Sequence, residues 1–335
     1  MSLISRWIDN TLEATGMDAV DALRAFFLLA AATMNPTNAD PSMQTFSISI
    51  PTSLRSRFLA YGPRSTSAST STSPAPPSAQ NLSTESKGFL DYLATLQVPH
   101  SYFTHFYVVS VLSSVFWVAQ LLSRGAMFQA IASRVSEDHQ RHSMSLTQLV
   151  ICCVLLAIQG SRRLWECFIF SKPSSSQMGF AHWFLGLGFY LAAGIAIWIE
   201  GSGTLLTKKL TIAHLQMTNA PSLRTFVFIP LFLVASGLQH DSHHYLFSLK
   251  KYTLPEHPMF RGVVCPHYGA ECIVYLSLAL LAAPQGEWVN KTMLSCLVFV
   301  AVNLGLTAQN TKQWYAQKFG KDSVQDWWLM IPYLY

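Results

Sequence analysis

Hydrophobic residues along this chain are collected into long runs that are separated by polar segments. Seven runs predict membrane-spanning helices, which need about 20 mostly apolar residues. They cover residues 19–34, 102–122, 145–160, 180–199, 225–239, 268–283 and 288–307. The first run is short and carries Asp21 and Arg24, the third can continue through RRLWECFIF, and Pro230 is expected to kink the fifth. The pattern predicts an all-α polytopic membrane helical bundle of about seven transmembrane helices.

The segment between the first two runs has a different composition. Residues 62–88 consist mainly of Ser, Thr, Pro and Ala and have no apolar periodicity. Such a segment cannot bury enough surface to offset the entropy lost on ordering, so we predict a disordered loop. The predicted organisation is an N-terminal region with the first helix at 1–61, the loop at 62–88 and a membrane domain at 89–335.

The composition supports a membrane protein and nearly excludes a soluble enzyme, a disordered scaffold or a secreted disulfide module. Charged residues make up 12% of the chain and hydrophobic residues 50%, whereas a soluble domain is about 25% charged. The net charge of +5 comes without a dense Lys/Arg run, so no nucleic acid partner is expected. The six cysteines form no C-x-x-C pair, which argues against a disulfide framework or a zinc knuckle. Lys and Arg are more numerous on the side of the membrane that holds the C-terminus, which predicts that the C-terminus is cytosolic.

Polar residues recur at helical spacing in or beside the apolar runs, where they are costly and tend to be functional. Gln239, His243 and Lys250 are spaced i, i+4 and i+11 and so share one predicted helix face. An amide, an imidazole and a cation on one face suit a polyanion such as a dinucleotide pyrophosphate. A polar helix end whose lysines reach the membrane interface explains the same spacing equally well.

Further polar sets follow the same pattern. His267 and Glu271, at i and i+4, enter an apolar run, and we favour a functional face over a buried structural pair. Arg162, Arg163 and Glu166 form either an ion pair or an anion-binding or acid–base group. Two sets have plain structural alternatives, namely aromatic anchoring at Tyr102, His105 and Tyr107, and helix packing at Asn303, Thr307, Asn310, Thr311 and Tyr315.

Five blocks of sequence resemble the steroid 5α-reductase family, and within it the polyprenol (polyprenal) reductase branch. They are VPHSYFTHFYVVS (98–110), QGSRRLWECF (159–168), GLQHDSHHYLFSLKK (237–251), VVCPHYGAE (263–271) and NLGLTAQNTKQWYAQKF (303–319). The resemblance covers residues 98–335. The C-P-H-Y-x-A-E and R-R-x-x-E patterns together make it specific.

The resemblance implies a seven-helix fold in the endoplasmic reticulum membrane, with NADPH as the hydride donor. It also implies reduction of the α-isoprene unit of a long-chain polyprenyl lipid in dolichol synthesis, which supports protein N-glycosylation. The residues implied to line the NADPH site are Gln239, His243, Lys250, His267, Glu271 and Tyr315. Those implied to lie near the reactive end of the substrate are Arg162, Arg163, Glu166, His105 and Tyr107. Both arginines are also expected to contact the cofactor, and Glu166, Tyr107 and His105 are the expected catalytic residues. The resemblance implies no metal, identifies no protein partner and leaves aldehyde or alcohol open as the substrate.

The chain departs from the family pattern at two places. Residues 310–313 (NTKQ) lack the Glu and His-Arg that related sequences often carry before the W-Y pair, and Lys250 stands where Arg is usual. Lys binds phosphate as a point charge rather than through two parallel hydrogen bonds. We therefore expect NADPH to bind with somewhat lower affinity.

Four other functions compete with this prediction. An isoprenylcysteine-type membrane methyltransferase is also small, helical and prenyl-binding, and its motif loosely resembles CPHYGAE. A 3-oxo-steroid 5α-reductase would share the fold and the cofactor. The histidines of HDSHH (240–244) suggest a di-iron enzyme, which would need more histidine boxes than this chain offers. A non-catalytic membrane scaffold or lipid-binding protein would use the polar faces only for helix packing.

Overall fold

The computed structural model describes residues 3–34, 96–172, 174–211, 222–250 and 252–334, which are mostly helical. The helices of these residues, numbered in chain order, are α1 Leu3–Thr15, α2 Ala19–Met34, α3 Phe103–Ser123, α4 Ala126–Ala132, α5 Glu137–Arg141, α6 Leu146–Ile169, α7 Phe180–Ile199, α8 Ser202–Thr207, α9 Leu223–Ser248, α10 Pro266–Leu281 and α11 Lys291–Phe319. Two short antiparallel strands, β1 (Gln97–Pro99) and β2 (Gln177–Gly179), join the starts of α3 and α7. The loop predicted at 62–88 lies outside the described residues.

The seven apolar runs all form helices, namely α2, α3, α6, α7, α9, α10 and α11. Among the described residues, four helical segments are long and apolar enough to cross a membrane by length and composition, at 100–123, 180–199, 223–248 and 291–319. A count of seven spans is not confirmed. Helices α2 and α10 have only 16 residues each, and the second half of α6 carries several charges.

Local sequence signals explain where several helices begin. Ser145 and Gln148 form a capping box at the start of α6, since each side chain bonds the other's backbone N–H. Ser222 caps α9 by accepting from the backbone of Thr225, and Pro266 occupies the first turn of α10, where no hydrogen bond from its nitrogen is needed. Helix α9 is longer than the predicted run because its polar C-terminal part, up to Ser248, continues the helix.

An aromatic cluster holds four helices together. The ring of Phe189 on α7 stacks on Phe299 of α11 at 4.9 Å, and it contacts Phe27 of α2 and Tyr275 of α10 at about 6 Å. Such pairs add about 0.5–1.5 kcal/mol each beyond the area they bury. In the contact network α9 packs on α10, α10 on α11 and α11 on α2, while α3 packs against α6 and α7.

Arg24, a charged residue in the first predicted span, has a buried partner. Arg24 of α2 donates to the Glu200 carboxylate at 2.9 Å, and Glu200 is 4% exposed. The backbone N–H of Thr292 at the start of α11 donates to the same oxygen at 2.8 Å. These contacts connect α2 with α7 and α11. The charge of Arg24 in the first predicted span is therefore paired within the protein.

The C-terminal segment is fixed against the loop that precedes α10. The backbone N–H groups of Val264 and Cys265 donate to the carbonyls of Trp328 and Leu329, both at 2.9 Å. From α11, Lys312 donates to the carbonyl of Trp327 at 2.6 Å. The segment therefore connects the start of α10 with the polar end of α11.

Candidate active site

The candidate site is a buried polar network between α6, α9 and α10, with α3 on its fourth side. On α6, Gln159, Arg162, Arg163 and Glu166 follow the spacing i, i+3, i+4 and i+7, which places them on one helix face. That face points into the bundle, because Gln159, Arg163 and Glu166 are all buried. A polar face directed inwards explains how charges are tolerated in an otherwise apolar helix.

Glu166 is the acceptor at the centre of the network and is 2% exposed. Both arginines, Arg162 and Arg163, form ion pairs with its two oxygens. From α9, the Nδ1 atoms of His240 and His243 each lie 2.8 Å from a Glu166 oxygen. A carboxylate can only accept, so the imidazole of His240 donates from Nδ1 while Glu166 is ionised. Nδ1 of His243 lies between Glu166 and Arg163, 2.8 Å from Arg163 Nη1, which can only donate. The two guanidinium groups and His240 thus offset the desolvation cost of the buried charge.

A second carboxylate, Glu271 of α10, is held by two amides. Gln159 donates to Glu271 Oε2 at 3.2 Å and to the Gln239 carbonyl at 2.9 Å. Gln239 in turn donates to Glu271 Oε2, and Arg162 donates to Gln239. Two carboxylates and two guanidinium groups therefore share one hydrogen-bonded network, and their formal charges balance.

Tyr107 of α3 connects this network to a cavity. Its hydroxyl oxygen accepts from Arg163 Nε at 3.1 Å and from Arg163 Nη2 at 2.9 Å. With both acceptor positions of the oxygen occupied by one guanidinium, the hydroxyl can only donate, and Tyr190 shares a side-chain hydrogen bond with it. Tyr190 of α7 lies beside it, with ring centroids 5.4 Å apart.

The cavity has a volume of about 360 Å³ and two contrasting sides. One side is apolar and largely aromatic, formed by Phe103, Phe106, Leu185, Phe189, Phe299 and Val300. The other side carries the polar groups Tyr107, Arg163, Gln239, His243, Glu271, Asn303, Thr307, Asn310 and Thr311. An apolar pocket with a few convergent polar groups is the usual form of a small-molecule site.

The structure brings most of the predicted site residues together. Tyr107, Arg163, Gln239, His243 and Glu271 line the cavity. Arg162 and Glu166 lie directly behind them in the same network. His267 is buried next to His243, and the centroids of the two rings are 5.3 Å apart.

Three predicted residues do not join this group. His105 is on the exterior of α3 against Tyr102 and Trp183, so the structure does not bring it to the cavity, and its expected position near the reactive end of the substrate stays a prediction. Residues two apart on a helix diverge by about 200°. Lys250 does not share the face of Gln239 and His243, because α9 ends at Ser248 and Lys250 is exposed beyond it.

The third is Tyr315, which does not belong to the cavity lining in the described part of the chain. It is buried on α11, with its ring 6.0 Å from Phe319 and 5.5 Å from Trp314. The structure thus places Tyr315 inside the bundle without bringing it to the cavity, and its expected contact with NADPH stays a prediction.

Some residues of the site carried no usable sequence signal. Tyr190 is a single hydroxyl in the apolar run of α7, and nothing in the run distinguishes it from a core aromatic. His182 and His100 line the cavity but stand alone among apolar neighbours. His240 was visible only as one of several histidines in HDSHH, and its bond to Glu166 depends on the packing of α9 against α6.

Comparison with known proteins points to one family. Residues 178–335 match the family model for 3-oxo-5-alpha-steroid 4-dehydrogenase. The chain is 27% identical to "Polyprenal reductase 1" of Oryza sativa subsp. indica over 74% of this chain and 83% of that protein. It is 31% identical to "Polyprenal reductase" of Saccharomyces cerevisiae over 52% and 60%, and 25% identical to the Homo sapiens protein of that name over 66% and 73%.

Proposed function

We propose that this chain is a member of the 3-oxo-5-alpha-steroid 4-dehydrogenase family, whose model matches residues 178–335. The chain is an oxidoreductase that reduces the double bond in the α-isoprene unit of polyprenal, with NADPH as the hydride donor. This reaction belongs to dolichol synthesis and so supports protein N-glycosylation. The observation that carries the proposal is the cavity, in which an apolar side meets a charged network at the Tyr107 hydroxyl.

The apolar side suits an isoprene unit. Phe103, Phe106, Leu185 and Phe189 offer hydrocarbon and ring surfaces, with His100 and His182 as polar neighbours in the lining. Gly186 leaves the ring of Phe106 room, since a Cβ there would come within 2.6 Å of it. The cavity lies at the lower end of the range for small-molecule sites, about 300–1,000 Å³. It therefore holds the reacting ends of substrate and cofactor, while the rest of a long polyprenyl chain extends into the lipid.

The chemistry favours an aldehyde over an alcohol. Hydride adds to an electrophilic carbon, and a C=C bond conjugated to a carbonyl has one at its β-position, whereas an allylic alcohol does not. NADPH, when bound, would supply the hydride to this β-carbon. The negative charge that develops on the carbonyl oxygen needs a hydrogen-bond donor, and a positioned donor contributes several kcal/mol of stabilisation.

Tyr107 is the donor that fits this role. Arg163 occupies the acceptor positions of the Tyr107 oxygen, which leaves the hydroxyl proton for the carbonyl oxygen of the substrate. The positive charge of Arg163 also stabilises the developing enolate through Tyr107. Glu166, bonded to Arg163 and His243, is the group through which the proton for the α-carbon is exchanged.

The polar side of the cavity matches the needs of a dinucleotide. Asn303, Thr307 and Asn310 follow one face of α11 and offer amide and hydroxyl groups for a carboxamide and a ribose. His243 and His267 extend this surface from α9 and α10. Lys250 is exposed beyond the end of α9. Its proposed role is therefore limited to a positive charge near the phosphates of NADPH at the rim of the cavity.

The location follows from the substrate and the helices. A polyprenyl lipid resides in the membrane, and the chain has helices that are long and apolar enough to cross one. We place the protein in the endoplasmic reticulum membrane as a multi-pass enzyme. Its C-terminus and NADPH site then face the cytosol.

The direct test is turnover by purified protein in lipid nanodiscs with NADPH and a short polyprenal, measured as NADPH oxidation and as product mass. The wild type should convert the enal, and Glu166→Gln should lower the rate about 10²–10⁴-fold. A steroid enone is run in parallel, because the matched family model carries a steroid name. Turnover of the steroid without turnover of polyprenal would contradict the proposed substrate.

A further inference from the structure

Each reduction of this kind consumes one proton as well as one hydride. This inference rests on the proposed function, in which the hydride adds to the β-carbon and the proton to the α-carbon. NADPH carries no proton that can serve the second step, so the proton has to come from water outside the bundle. Glu166 is at the centre of the site but only 2% exposed, and it needs an intermediary that reaches the surface.

His240 has the most exposed side chain among the partners of Glu166. Its Nδ1 lies 2.8 Å from Glu166 Oε1, and 34% of its side chain is exposed. The other three partners are less accessible, with side-chain exposures of 18% for Arg162, 16% for His243 and 10% for Arg163. Both arginines remain protonated under all ordinary conditions, so they are poor proton carriers.

The two histidines contact different oxygens of Glu166. His243 lines the cavity, and its Nδ1 lies near Glu166 Oε2. His240 bonds the other oxygen, does not belong to the cavity lining among the described residues, and packs against Trp165 and Phe170 on the exterior of the bundle. Trp165 is half exposed, as is usual for an indole at the membrane interface. A continuous line of groups therefore runs from the exterior through His240 and Glu166 to the cavity.

We propose that His240 is the proton entry of this site. Water protonates Nε2 of His240, and the Nδ1–H proton passes to Glu166 Oε1. The proton then moves to the cavity side of the network, where it adds to the α-carbon of the substrate. The balance per turnover is one enal, one NADPH and one proton giving one saturated aldehyde and one NADP⁺. Imidazole is suited to this task because its two nitrogens can accept and release a proton on opposite sides. His240 does not touch the reacting atoms, so it is a positioning and relay residue.

His240 lies among charged and aromatic groups from two helices. Glu166, Arg162 and Arg163 are the charged groups on α6, and Asp241, His243 and His244 are the ionisable neighbours on its own helix. Trp165 and Phe170 contribute uncharged rings.

The test compares His240→Gln with His244→Gln. Glutamine keeps a hydrogen-bond donor for Glu166 but cannot carry a proton. His244 is one turn further along α9, is exposed and contacts Phe170 at 5.6 Å, and so is a matched control. The readouts are kcat across pH, the solvent isotope effect, rescue by free imidazole, and the dissociation constant of NADPH.

For His240→Gln we expect kcat to fall about ten-fold or more, a larger solvent isotope effect, partial rescue by imidazole and unchanged NADPH binding. His244→Gln should behave like the wild type. Unchanged kcat and pH profile in His240→Gln would overturn the inference, as would a loss of kcat that parallels weaker NADPH binding without imidazole rescue. A wild type that reduces neither polyprenal nor a steroid enone would overturn the proposed function itself, and the inference with it.

Discussion

At the scale of single residues, the assigned roles follow from what each polar atom can donate or accept. Glu166 can only accept while ionised, and Arg162, Arg163 and His240 donate to it. Tyr107 has its acceptor positions filled by Arg163 and therefore acts as a donor. The chemistry of the site is thus set by hydrogen-bond direction as much as by residue type.

The Tyr107 hydroxyl can be tested with Tyr107→Phe. Removing it deletes the proposed donor to the carbonyl oxygen and leaves the ring in place, so we expect kcat to fall about 10²–10³-fold, as for loss of one oxyanion donor. NADPH affinity should change little. Tyr102→Phe is the control, because Tyr102 is exposed and contacts His105 and Trp183 outside the cavity. Equal activity of the two variants would remove Tyr107 from the mechanism.

At the scale of elements, helical spacing predicted most of the site because it decides which side chains share a face. Arg163 and Glu166 of α6 and His267 and Glu271 of α10 are buried, so each of the two predicted sets lies on an inward face of its helix. The same rule failed for Lys250 because the sequence does not show that α9 ends at Ser248. It also does not show which helices become neighbours, so the bond between His240 and Glu166 could not be derived.

Gly269 is where two elements approach most closely beside the site. A Cβ there would lie 2.5 Å from the carbonyl oxygen of Met330 in the C-terminal segment. Gly269→Ala should therefore push this segment away and destabilise the protein by about 1–3 kcal/mol. Thermal unfolding in detergent measures the effect.

The matched control is Gly237→Ala on α9. A Cβ at Gly237 meets nothing within 4 Å, and alanine favours a helix over glycine by about 1 kcal/mol. The control should thus unfold at the same or a higher temperature than the wild type. Equal unfolding temperatures for Gly269→Ala and the wild type would show that the C-terminal segment does not stabilise α10.

At the scale of the whole molecule, the distribution of polar groups gives the bundle two different ends. Glu200, Arg24 and the start of α11 form a buried ion pair at one end. The site lies towards the other end, where α6 and α9 terminate and where Lys172 donates to the carbonyl of Leu249. A cofactor from the cytosol can reach the site only if this second end faces the cytosol.

This orientation predicts a cytosolic C-terminus. An epitope tag placed after Tyr335 should be digested by protease added to sealed microsomes, whereas a lumenal marker protein should stay intact. The bias of Lys and Arg towards this side is the physical reason, since positively charged loops are retained in the cytosol. A tag that is protected until detergent opens the vesicles would invert the topology and place the NADPH site in the lumen.

The central claim is conjugate reduction of a polyprenal at the cavity beside Tyr107, and isotope transfer tests it most directly. Wild-type protein is supplied with polyprenal and with NADPH that carries deuterium at the transferred position, and the product is analysed by NMR. We predict deuterium at the β-carbon of the α-isoprene unit and hydrogen from water at the α-carbon. Deuterium at the carbonyl carbon, or none in the product, would contradict the account.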